Sequence, residues 1–311
     1  MEIASGTAAL RVQVPASTSN LGPGFDFLGL ALSLYLCAEV LESNAGDGLA
    51  ATPPRLEDGS PDLVRIAFER AAAELGLAGT VRLRVKSEIP IGRGFGSSGA
   101  AVAAGLLLAN ARSATPLPLE RLLTLGLELE GHPDNVTASL VGGCTLCHPS
   151  PSPDAAHPVL IRQELHPSIG FALAWPADPL ATRRAREALP SEVPFPDAAD
   201  NPRRLALLLE GLRTGSSELL GLGGVEHLHE HARLPLIPGA SRALEAAREA
   251  GAWLATLSGA GSGTVALGPI ASMQRVADAM ADGFRAESGA GFARVVEAVR
   301  DAPRVLTLHQ D

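Results

Sequence analysis

The segment GRGFGSSG, residues 92–99, combines three alternating glycines with two serines, a pattern suited to binding a phosphate. Glycine lets the backbone approach a bulky anion closely, and its N–H groups can then donate to the phosphate oxygens. Hydroxyl groups such as those of Ser97 and Ser98 either cap a helix or turn towards a Mg²⁺ ion bound to the phosphate. The segment indicates phosphate chemistry, and the simpler alternative is a tight connection without a ligand.

The neighbouring elements are expected to hold this turn in place. Residues 80–86 alternate apolar and basic side chains, which predicts a strand, and residues 101–111 are rich in Ala and Leu, which predicts a helix. A strand, a glycine turn and a helix bring backbone N–H groups and the positive helix end to one point. The spacing matches neither a Walker A loop nor a dinucleotide fingerprint. Lys86, the one lysine among 25 Lys and Arg residues, is either a phosphate ligand or a solvated strand residue.

A second polar stretch, PASTSNLGPGFD at residues 15–26, follows a strand predicted at residues 10–14. It is long for a simple connection, and loops of this kind are often functional. Asn20 and Asp26 have the chemistry to hold an ammonium and a hydroxyl. Alternatively, as Asx-turn residues, they satisfy only their own backbone.

A third stretch, ELEGHPDNV at residues 128–136, ends a helix predicted to begin at Pro118 and starts another. Glu130 lies in the last turn, where a carboxylate opposes the helix dipole, so we expect a cation beside it. Asp134 is either a catalytic group or the N-cap of the following helix.

Composition restricts the class of protein. A chain of 311 residues is expected to form two domains, and 46% hydrophobic with 19% charged residues describes a globular protein. The net charge of −9 argues against nucleic acid and anionic membranes as partners. The first residues do not have the pattern of a secretory signal, and three cysteines do not make a disulfide framework, so we expect the cytoplasm.

The second half alternates predicted strands and helices, which indicates an α+β domain with helices on one face of a sheet. A Pro- and Ser-rich stretch at residues 149–158 is the expected hinge, so we place an N-terminal domain at residues 1–158 and a C-terminal domain at residues 159–311. The predicted strands of this half are residues 169–175, 253–257, 264–267 and 304–308, and the predicted helices are residues 182–189, 202–221, 241–251 and 272–284.

Two further clusters are interpreted as structural. CTLCH, residues 144–148, has the spelling of a haem attachment site, but it alternates as a strand does, so structural cysteines are expected. His227, His229 and His231 also alternate, and we expect an exposed chain there rather than a metal site.

Four motifs resemble those of one group of small-molecule kinases. PIGRGFGSSGA, residues 90–100, resembles the phosphate loop of the galactokinase, homoserine kinase, mevalonate kinase and phosphomevalonate kinase superfamily, with Phe95 replacing Leu and Gly99 replacing Ala. PASTSNLGPGFD and EGHPDNV resemble the first and second signatures of the homoserine kinases. SGAGSGT, residues 258–264, is similar to a third motif that closes against the phosphate site, with one additional residue.

Two arginines belong to the same resemblance. Arg186 and Arg233 occupy positions similar to those with which homoserine kinases clamp the carboxylate of the substrate, a task suited to a bidentate guanidinium. In front of Arg233, Glu-His-Ala stands where the family has Gln-Pro-Tyr. Either arginine could instead be an ordinary surface residue.

The resemblance implies an α+β, two-domain small-molecule kinase fold. Its N-terminal domain would be of the ribosomal-protein-S5-domain-2-like type with a left-handed βαβ unit, and its C-terminal domain ferredoxin-like. The implied reaction transfers a phosphoryl group from ATP, with Mg²⁺, to the hydroxyl of L-homoserine, giving O-phospho-L-homoserine on the route to threonine. The alternatives are a sister kinase acting on mevalonate or a sugar, and a catalytically silent nucleotide sensor. A homodimer is left open.

The resemblance also implies roles for individual residues, to which Lys86 is added from its place before the turn. The catalytic residues are Ser98, Glu130, Asp134, as a candidate base, and Asn135, and Mg²⁺ is bound by Ser98 and Glu130. The ATP-binding residues are Lys86, Pro90, Ile91, Gly92, Arg93, Gly94, Phe95, Gly96, Ser97, Ser98, Gly99 and Ala100. The substrate-binding residues are Asn20, Asp26, His132, Asn135, Arg186 and Arg233.

Overall fold

The computed structural model describes four stretches of the chain, residues 9–42, 61–79, 81–149 and 157–308. Within these stretches, ten strands form two antiparallel sheets. Residues 44–60, whose sequence predicts a loop, and most of the expected hinge at residues 149–158 lie outside them.

The first sheet contains strands from both halves of the chain. Its members are β1 (Ala9–Ser19), β2 (Leu28–Glu42), β3 (Val81–Ser87), β4 (Cys144–His148), β5 (Val159–Gln163) and β10 (Val305–Leu308). The order is β10-β1-β2-β4-β5, with β3 also paired to β2. Since β1 covers one edge of β2, β3 and β4 share the other edge, antiparallel to β2 and therefore parallel to each other.

One helix precedes β3, and three more connect β3 to β4. They are α1 (Leu63–Glu74), α2 (Ser97–Ala111), α3 (Leu119–Glu130) and α4 (Asp134–Val141). The predicted strand before the glycine turn and the predicted helix after it are confirmed. Helix α2 is rich in small residues, and α1 packs tightly on it: a Cβ at Gly105 would lie 2.2 Å from the carbonyl oxygen of Val64. This close packing places α2 in the core, with its N-terminus at the glycine turn.

The second sheet is ferredoxin-like. Its strands are β6 (Ile169–Pro176), β7 (Leu254–Leu257), β8 (Thr264–Pro269) and β9 (Gly291–Val296), in the order β7-β8-β6-β9. Helices α9 (Ala240–Glu249) and α10 (Met273–Ser288) pack through one shared apolar cluster with residues of β6, β7 and β8. The chain order β6-α9-β7-β8-α10-β9 confirms the ferredoxin-like prediction.

Helical segments are inserted between β6 and α9. They are α5 (Thr182–Glu187), α6 (Phe195–Thr214), α7 (Ser217–Gly223) and α8 (Glu230–Arg233). The prediction of one helix over residues 202–221 is wrong at both ends. Helix α6 begins at Phe195, with Pro196 in its first turn, so Pro202 lies inside the helix. The helix ends at Gly215, which has the left-handed conformation with φ +71°.

The two sheets do not divide at the predicted domain boundary. Strand β5 begins at Val159, just inside the predicted C-terminal domain, and pairs with β4. Strand β10, near the end of the chain, pairs with β1. Unpaired edge strands are unfavourable, and the returning chain covers the edge of β1. No helix in the described residues has the length and apolar character of a membrane span.

Candidate active site

A cleft of about 600 Å³ opens where loops of the two sheets meet. Its walls come from the loop that contains Asn20 and Asp26, the glycine turn, the start of α4, the start of α5, and Arg233 with Gly259. A recess of about 590 Å³ adjoins it and shares Ser98 and Arg186 with it. This size is typical of sites for small molecules and cofactors.

The glycine turn has the open backbone that its sequence predicts. Gly92, Gly94 and Gly96 have φ values of +67°, +72° and +67°, a region that residues with a Cβ rarely adopt. A Cβ on Gly94 would lie 1.9 Å from the carbonyl oxygen of Ser258. The turn is therefore packed against the loop that begins at Ser258, and no larger residue fits there.

Hydrogen bonds join that loop to the turn. The Ser258 hydroxyl donates to the Gly94 carbonyl at 2.7 Å, and the Gly263 N–H donates to the Arg93 carbonyl at 3.0 Å. The Arg93 side chain leaves the cleft and donates to carbonyls of Ile91, at 2.9 Å, and Pro176, at 3.1 Å. Arg93 thus ties the turn to the second sheet.

The residues predicted to bind ATP divide into two groups. Eight of them line the cleft: Pro90, Ile91, Gly92, Gly94, Phe95, Gly96, Ser97 and Ser98. The structure does not bring the other four, Lys86, Arg93, Gly99 and Ala100, to its wall. Val85 and Ser87 line the cleft, and because side chains alternate along a strand, Lys86 faces away from it. Gly99 instead packs against α4, where a Cβ would lie 3.0 Å from the backbone of Asn135.

Ser98 and Glu130 form the oxygen-rich side of the site. The Ser98 hydroxyl donates to Glu130 Oε2 at 3.1 Å, and the Glu130 side chain is 5% exposed. Burial raises the pKa of Glu130, opposed by the charge of His132 and the Ser98 hydrogen bond. A hydroxyl and one carboxylate facing a phosphate site suit Mg²⁺, which usually binds one or two carboxylates together with phosphate oxygens. These residues fit the ion, although the described residues contain no cluster of three or more His, Cys, Asp or Glu that would hold a metal without phosphate.

His132 and Asp134 form a close pair beside Glu130. His132 Nδ1 lies 2.7 Å from Asp134 Oδ1, and His132 Nε2 lies 4.0 Å from Glu130 Oε2. Burial alone would lower the pKa of His132, but the hydrogen bond and charge of Asp134 outweigh it and raise the pKa. Burial alone would raise the pKa of Asp134, but the His132 contacts and the Asn135 N–H lower it. The contact thus favours the protonated form of His132 and the ionised form of Asp134.

Two serines that the sequence analysis gave no role hold Asn135. The Ser17 hydroxyl donates to Asn135 Oδ1 at 2.9 Å, and Asn135 Nδ2 donates to the Ser19 hydroxyl at 2.9 Å. Ser17, Thr18 and Ser19 are fully buried at the end of β1. Three successive polar residues directly before Asn20 were a usable signal, because a strand end that buries hydroxyl groups needs partners for them.

Asp26 and Arg186 meet across the cleft. Arg186 donates two hydrogen bonds of 2.8 Å to the two carboxylate oxygens of Asp26. Asn20 and Asp26 have left-handed φ values of +58° and +57°, and the Asn20 side chain accepts the Asp26 N–H at 2.8 Å. Non-glycine residues in this conformation are uncommon and cluster at functional sites.

Arg233 is a buried cation at the wall of the cleft. It is 1% exposed, and it has no carboxylate within 4.0 Å among the described residues. Its guanidinium donates to the carbonyls of Ala185 and Gly259 at 3.4 and 3.2 Å and lies 5.2 Å from the ring centre of Phe25. Backbone carbonyls and an aromatic face neutralise a buried charge only in part.

The prediction that the three histidines belong to an exposed chain is wrong for His229, which is fully buried. His231 is exposed, and His227 lies at the surface with Nε2 3.1 Å from Asp200. The prediction failed because the alternating histidines precede and enter a short helix, α8, rather than an extended surface chain.

Comparisons with known proteins agree with this architecture. Residues 62–143 match the family described as GHMP kinases N terminal domain, and residues 206–286 match the one described as GHMP kinases C terminal. The homoserine kinase of Synechococcus sp. (strain RCC307) is 41% identical over 283 residues, 89% of each chain.

Solved structures show the same fold. The crystal structure of homoserine kinase from Cytophaga hutchinsonii ATCC 33406 has a TM-score of 0.84 at 26% identity, covering 98% of this chain and 100% of that one. A mevalonate kinase, at 14% identity and a TM-score of 0.67 over 94% of this chain and 99% of that one, shares the fold. Identity of about two fifths to a relative over most of both chains, together with both domain matches, places this chain in the GHMP kinase family.

Proposed function

We propose that this protein transfers the γ-phosphoryl group of ATP to the hydroxyl of L-homoserine, releasing ADP and O-phospho-L-homoserine, a step towards threonine. Relatives about 40% identical over most of the chain carry the name homoserine kinase. The observation that carries the choice of substrate is Arg233, a buried guanidinium at the cleft without a carboxylate partner among the described residues.

A substrate carboxylate would supply that partner. Asp26 and Glu226 act on Arg233 only from beyond 4.0 Å. A buried cation without a close counter-charge is unfavourable, so the site favours a ligand that brings a negative group to Arg233. The guanidinium of Arg186 also lies near Phe25, 6.0 Å from its ring centre. Two guanidinium groups around one position suit a carboxylate. Galactose has no such group, which argues against a sugar kinase.

Asp26 supports an amino acid rather than mevalonate. Its carboxylate offers a counter-charge for an ammonium, and mevalonate has a carboxylate but no ammonium. In the structure Asp26 bonds with Arg186. A zwitterion that enters between them brings its ammonium to Asp26 and its carboxylate to the arginines, so every charge of the pair keeps an opposite partner.

In this proposal ATP occupies the half of the cleft that is formed by the glycine turn. The open backbone of the glycine turn and the N-terminus of the 15-residue helix α2 would receive the phosphates. The apolar side chains of Leu36, Val64 and Val85 line the same cleft and would contact the base. Since Lys86 and Arg93 face elsewhere, neither serves as a phosphate ligand in this proposal.

Ser98 and Glu130 would hold Mg²⁺ together with phosphate oxygens. The bound ion would neutralise negative charge on the β- and γ-oxygens. His132 Nε2 lies 4.0 Å from Glu130 Oε2, and Asp134 raises the pKa of His132. In its protonated form His132 would limit the repulsion between Glu130, Asp134 and the phosphates. Phosphoryl transfer passes through a loose transition state, so alignment and charge neutralisation carry most of the catalysis.

Asp134 would receive and orient the acceptor hydroxyl, with Asn135 beside it. Its pKa is lowered from the ordinary value by His132 and the Asn135 N–H, so it is ionised at neutral pH and accepts a hydrogen bond from the hydroxyl. The lowered pKa also makes it a weak base. This fits a reaction that needs little proton abstraction before bond cleavage.

The test is ADP release by purified protein with Mg·ATP and, separately, L-homoserine, L-threonine, mevalonate and galactose. We expect strong stimulation by L-homoserine alone. Stimulation by mevalonate or galactose would contradict the reading of Asp26 and the two arginines. ATP binding without stimulation by any acceptor would favour a nucleotide sensor.

A further inference from the structure

His229 lies behind the cleft, fully buried, and its two ring nitrogens contact two different parts of the site. Nε2 lies 3.2 Å from the carbonyl oxygen of Gly22, and Nδ1 lies 3.4 Å from Nη1 of Arg233. A carbonyl only accepts a hydrogen bond, and a guanidinium only donates one. The contacts therefore require the neutral tautomer with its proton on Nε2.

The ring also supports the loop that carries Asp26. It stacks on Phe25, with 5.1 Å between ring centres and 27° between planes, and the guanidinium of Arg233 lies 5.2 Å from the same Phe25 ring. His229 thus contacts this loop at Gly22 and at Phe25, next to Asp26. The left-handed backbone at Asp26 is uncommon for a residue with a side chain and needs such support.

Glu226 fixes the backbone of His229 from behind. Its carboxylate, in a side chain 1% exposed, accepts the N–H groups of Leu228, at 2.7 Å, and His229, at 2.9 Å. Glu226 Oε2 also lies 3.8 Å from His229 Nε2, on the side of the proton. Neither the backbone nor the ring of His229 can shift without breaking one of these contacts.

We propose that His229 is a positioning residue, which holds Arg233 and the Asp26 loop at a fixed separation and so sets the distance between the carboxylate and ammonium ends of the substrate site. The proposal rests on the proposed function, since it assigns those two ends to L-homoserine. His229 is not among the residues that line the cleft, so it would touch neither ATP nor the acceptor.

Two substitutions separate the contacts of the ring. In His229→Asn, the side-chain oxygen can take the place of Nδ1 and still accept from Arg233, while the bond to Gly22 is lost. In His229→Gln, the side-chain nitrogen can take the place of Nε2 and still donate to Gly22, while the bond to Arg233 is lost. His227→Gln is the matched control, since His227 lies at the surface beside Asp200 and outside the cleft.

The readouts are KM for L-homoserine, KM for ATP and kcat, with Tm to monitor the fold. We expect His229→Gln to raise KM for L-homoserine about tenfold, the order of one lost hydrogen bond to a charged group. KM for ATP should stay within about twofold of the wild-type value, because the His229 ring contacts Gly22, Phe25 and Arg233 at the substrate end of the cleft. His229→Asn should raise KM for L-homoserine less than His229→Gln does, and His227→Gln should not change it.

A double-mutant cycle tests whether His229 acts through Arg233. In an Arg233→Met background, adding His229→Gln should raise KM for L-homoserine no further, because the contact is already absent. Additive effects would overturn the proposal. So would wild-type KM in His229→Gln, or equal losses for both substrates in the Asn and Gln variants with a lowered Tm, which a merely structural role predicts.

The same experiment separates this inference from the proposed function. Without turnover of L-homoserine by the wild-type protein, the proposed function fails and the inference fails with it. Normal wild-type turnover with unchanged variants contradicts the inference alone.

Discussion

The carboxylate of Asp26 and the guanidinium of Arg186 pair through two hydrogen bonds of 2.8 Å, whereas Arg233, which also lines the cleft, has no carboxylate within 4.0 Å among the described residues. The two arginines are therefore in different states before a substrate arrives. The Arg186 guanidinium must divide its hydrogen bonds between Asp26 and the incoming carboxylate, while Arg233 gains a carboxylate partner.

Arg233→Met should consequently raise KM for L-homoserine more than Arg186→Met does. We expect about a 10- to 100-fold increase for Arg233, the range for a lost hydrogen bond to a charged group. For Arg186 the increase should be smaller, because removing it also frees Asp26 for the ammonium. Steady-state kinetics with varied L-homoserine measures both. Arg184→Met, an exposed position on the same helix as Arg186, is the control, and a larger effect at Arg186 would contradict this ranking.

Glu130→Gln should lower kcat by at least about 10²-fold, since it removes charge from the proposed metal site in a poorly solvated place. It should also raise the Mg²⁺ concentration needed for half-maximal rate. Glu128→Gln is a matched control on the same helix, because Glu128 forms only surface ion pairs with Arg70 and Arg121. Near-normal rate and Mg²⁺ dependence in Glu130→Gln would remove Glu130 from the metal site.

Asp134→Ala distinguishes catalysis from a structural role at the start of α4. The alternative that Asp134 is the N-cap is wrong, because Pro133 occupies that position and Asp134 is the first helical residue, whose Oδ1 accepts the Asn135 N–H at 2.8 Å. If Asp134 acts on the acceptor hydroxyl, kcat should fall by about 10²–10⁴-fold, the usual range for such groups. Ser216→Ala provides the comparison, since Ser216 caps α7 by accepting the Leu219 N–H at 3.3 Å and lies outside the cleft. It should lower Tm and leave kcat unchanged. A loss below tenfold in Asp134→Ala, with a similar drop in Tm, would leave Asp134 as a structural residue.

The pairing of Ser98 with Glu130 shows what the sequence could predict. Glu130 precedes a glycine in the last turn of a helix, an unfavourable place for a carboxylate, and this local conflict predicted a cation beside it. The structure places the Ser98 hydroxyl there, and the cation stays a prediction. The partner itself, 32 residues away, followed only from the family resemblance. Local rules detect the conflict, and tertiary structure resolves it.

Arg93 and Lys86 show what the sequence could not predict. The glycines determine the path of the turn, but Arg93 leaves it towards carbonyls of the second sheet, and those carbonyls are distant in sequence. Alternation along β3 indicated that Lys86 and Val85 face opposite sides. Which side carries the cleft depends on how α1 and the glycine turn pack on the sheet. His229 was misjudged for the same reason, since its burial depends on the Asp26 loop.

Gly94→Ala should disrupt the phosphate turn. A Cβ there would meet the Ser258 carbonyl oxygen at 1.9 Å, in addition to the left-handed strain of roughly 1–2 kcal/mol. We expect kcat/KM for ATP to fall more than about 10²-fold, because misplacing reacting groups by about 1 Å has that effect.

Gly76→Ala isolates the strain from the clash. Gly76 has φ +64° and no atom within 4 Å of a Cβ, so this variant should lose stability by roughly 1–2 kcal/mol and keep its activity. Thermal unfolding and kinetics with varied ATP measure both changes. Equal kinetic effects of the two substitutions would contradict the close contact between the turn and the Ser258 loop.

Glu230 should make the protein less stable as the pH rises from about 4.5 to about 7. Burial raises its pKa from 4.5 to about 7, opposed by a hydrogen bond from Thr256. The unfolded chain therefore loses this proton at a lower pH than the folded chain, so stability is full below about 4.5 and decreases through pH 7. At about 1.4 kcal/mol per pKa unit, the change is at most roughly 3 kcal/mol.

Glu230→Gln cannot ionise at this position. Urea unfolding should therefore find Glu230→Gln more stable than wild type at pH 8 and nearly equal to it at pH 5. Glu249→Gln, at an exposed position, is the control and should match wild type at both pH values. A Glu230→Gln difference that does not vary with pH would mean that the carboxyl group titrates normally in the folded protein.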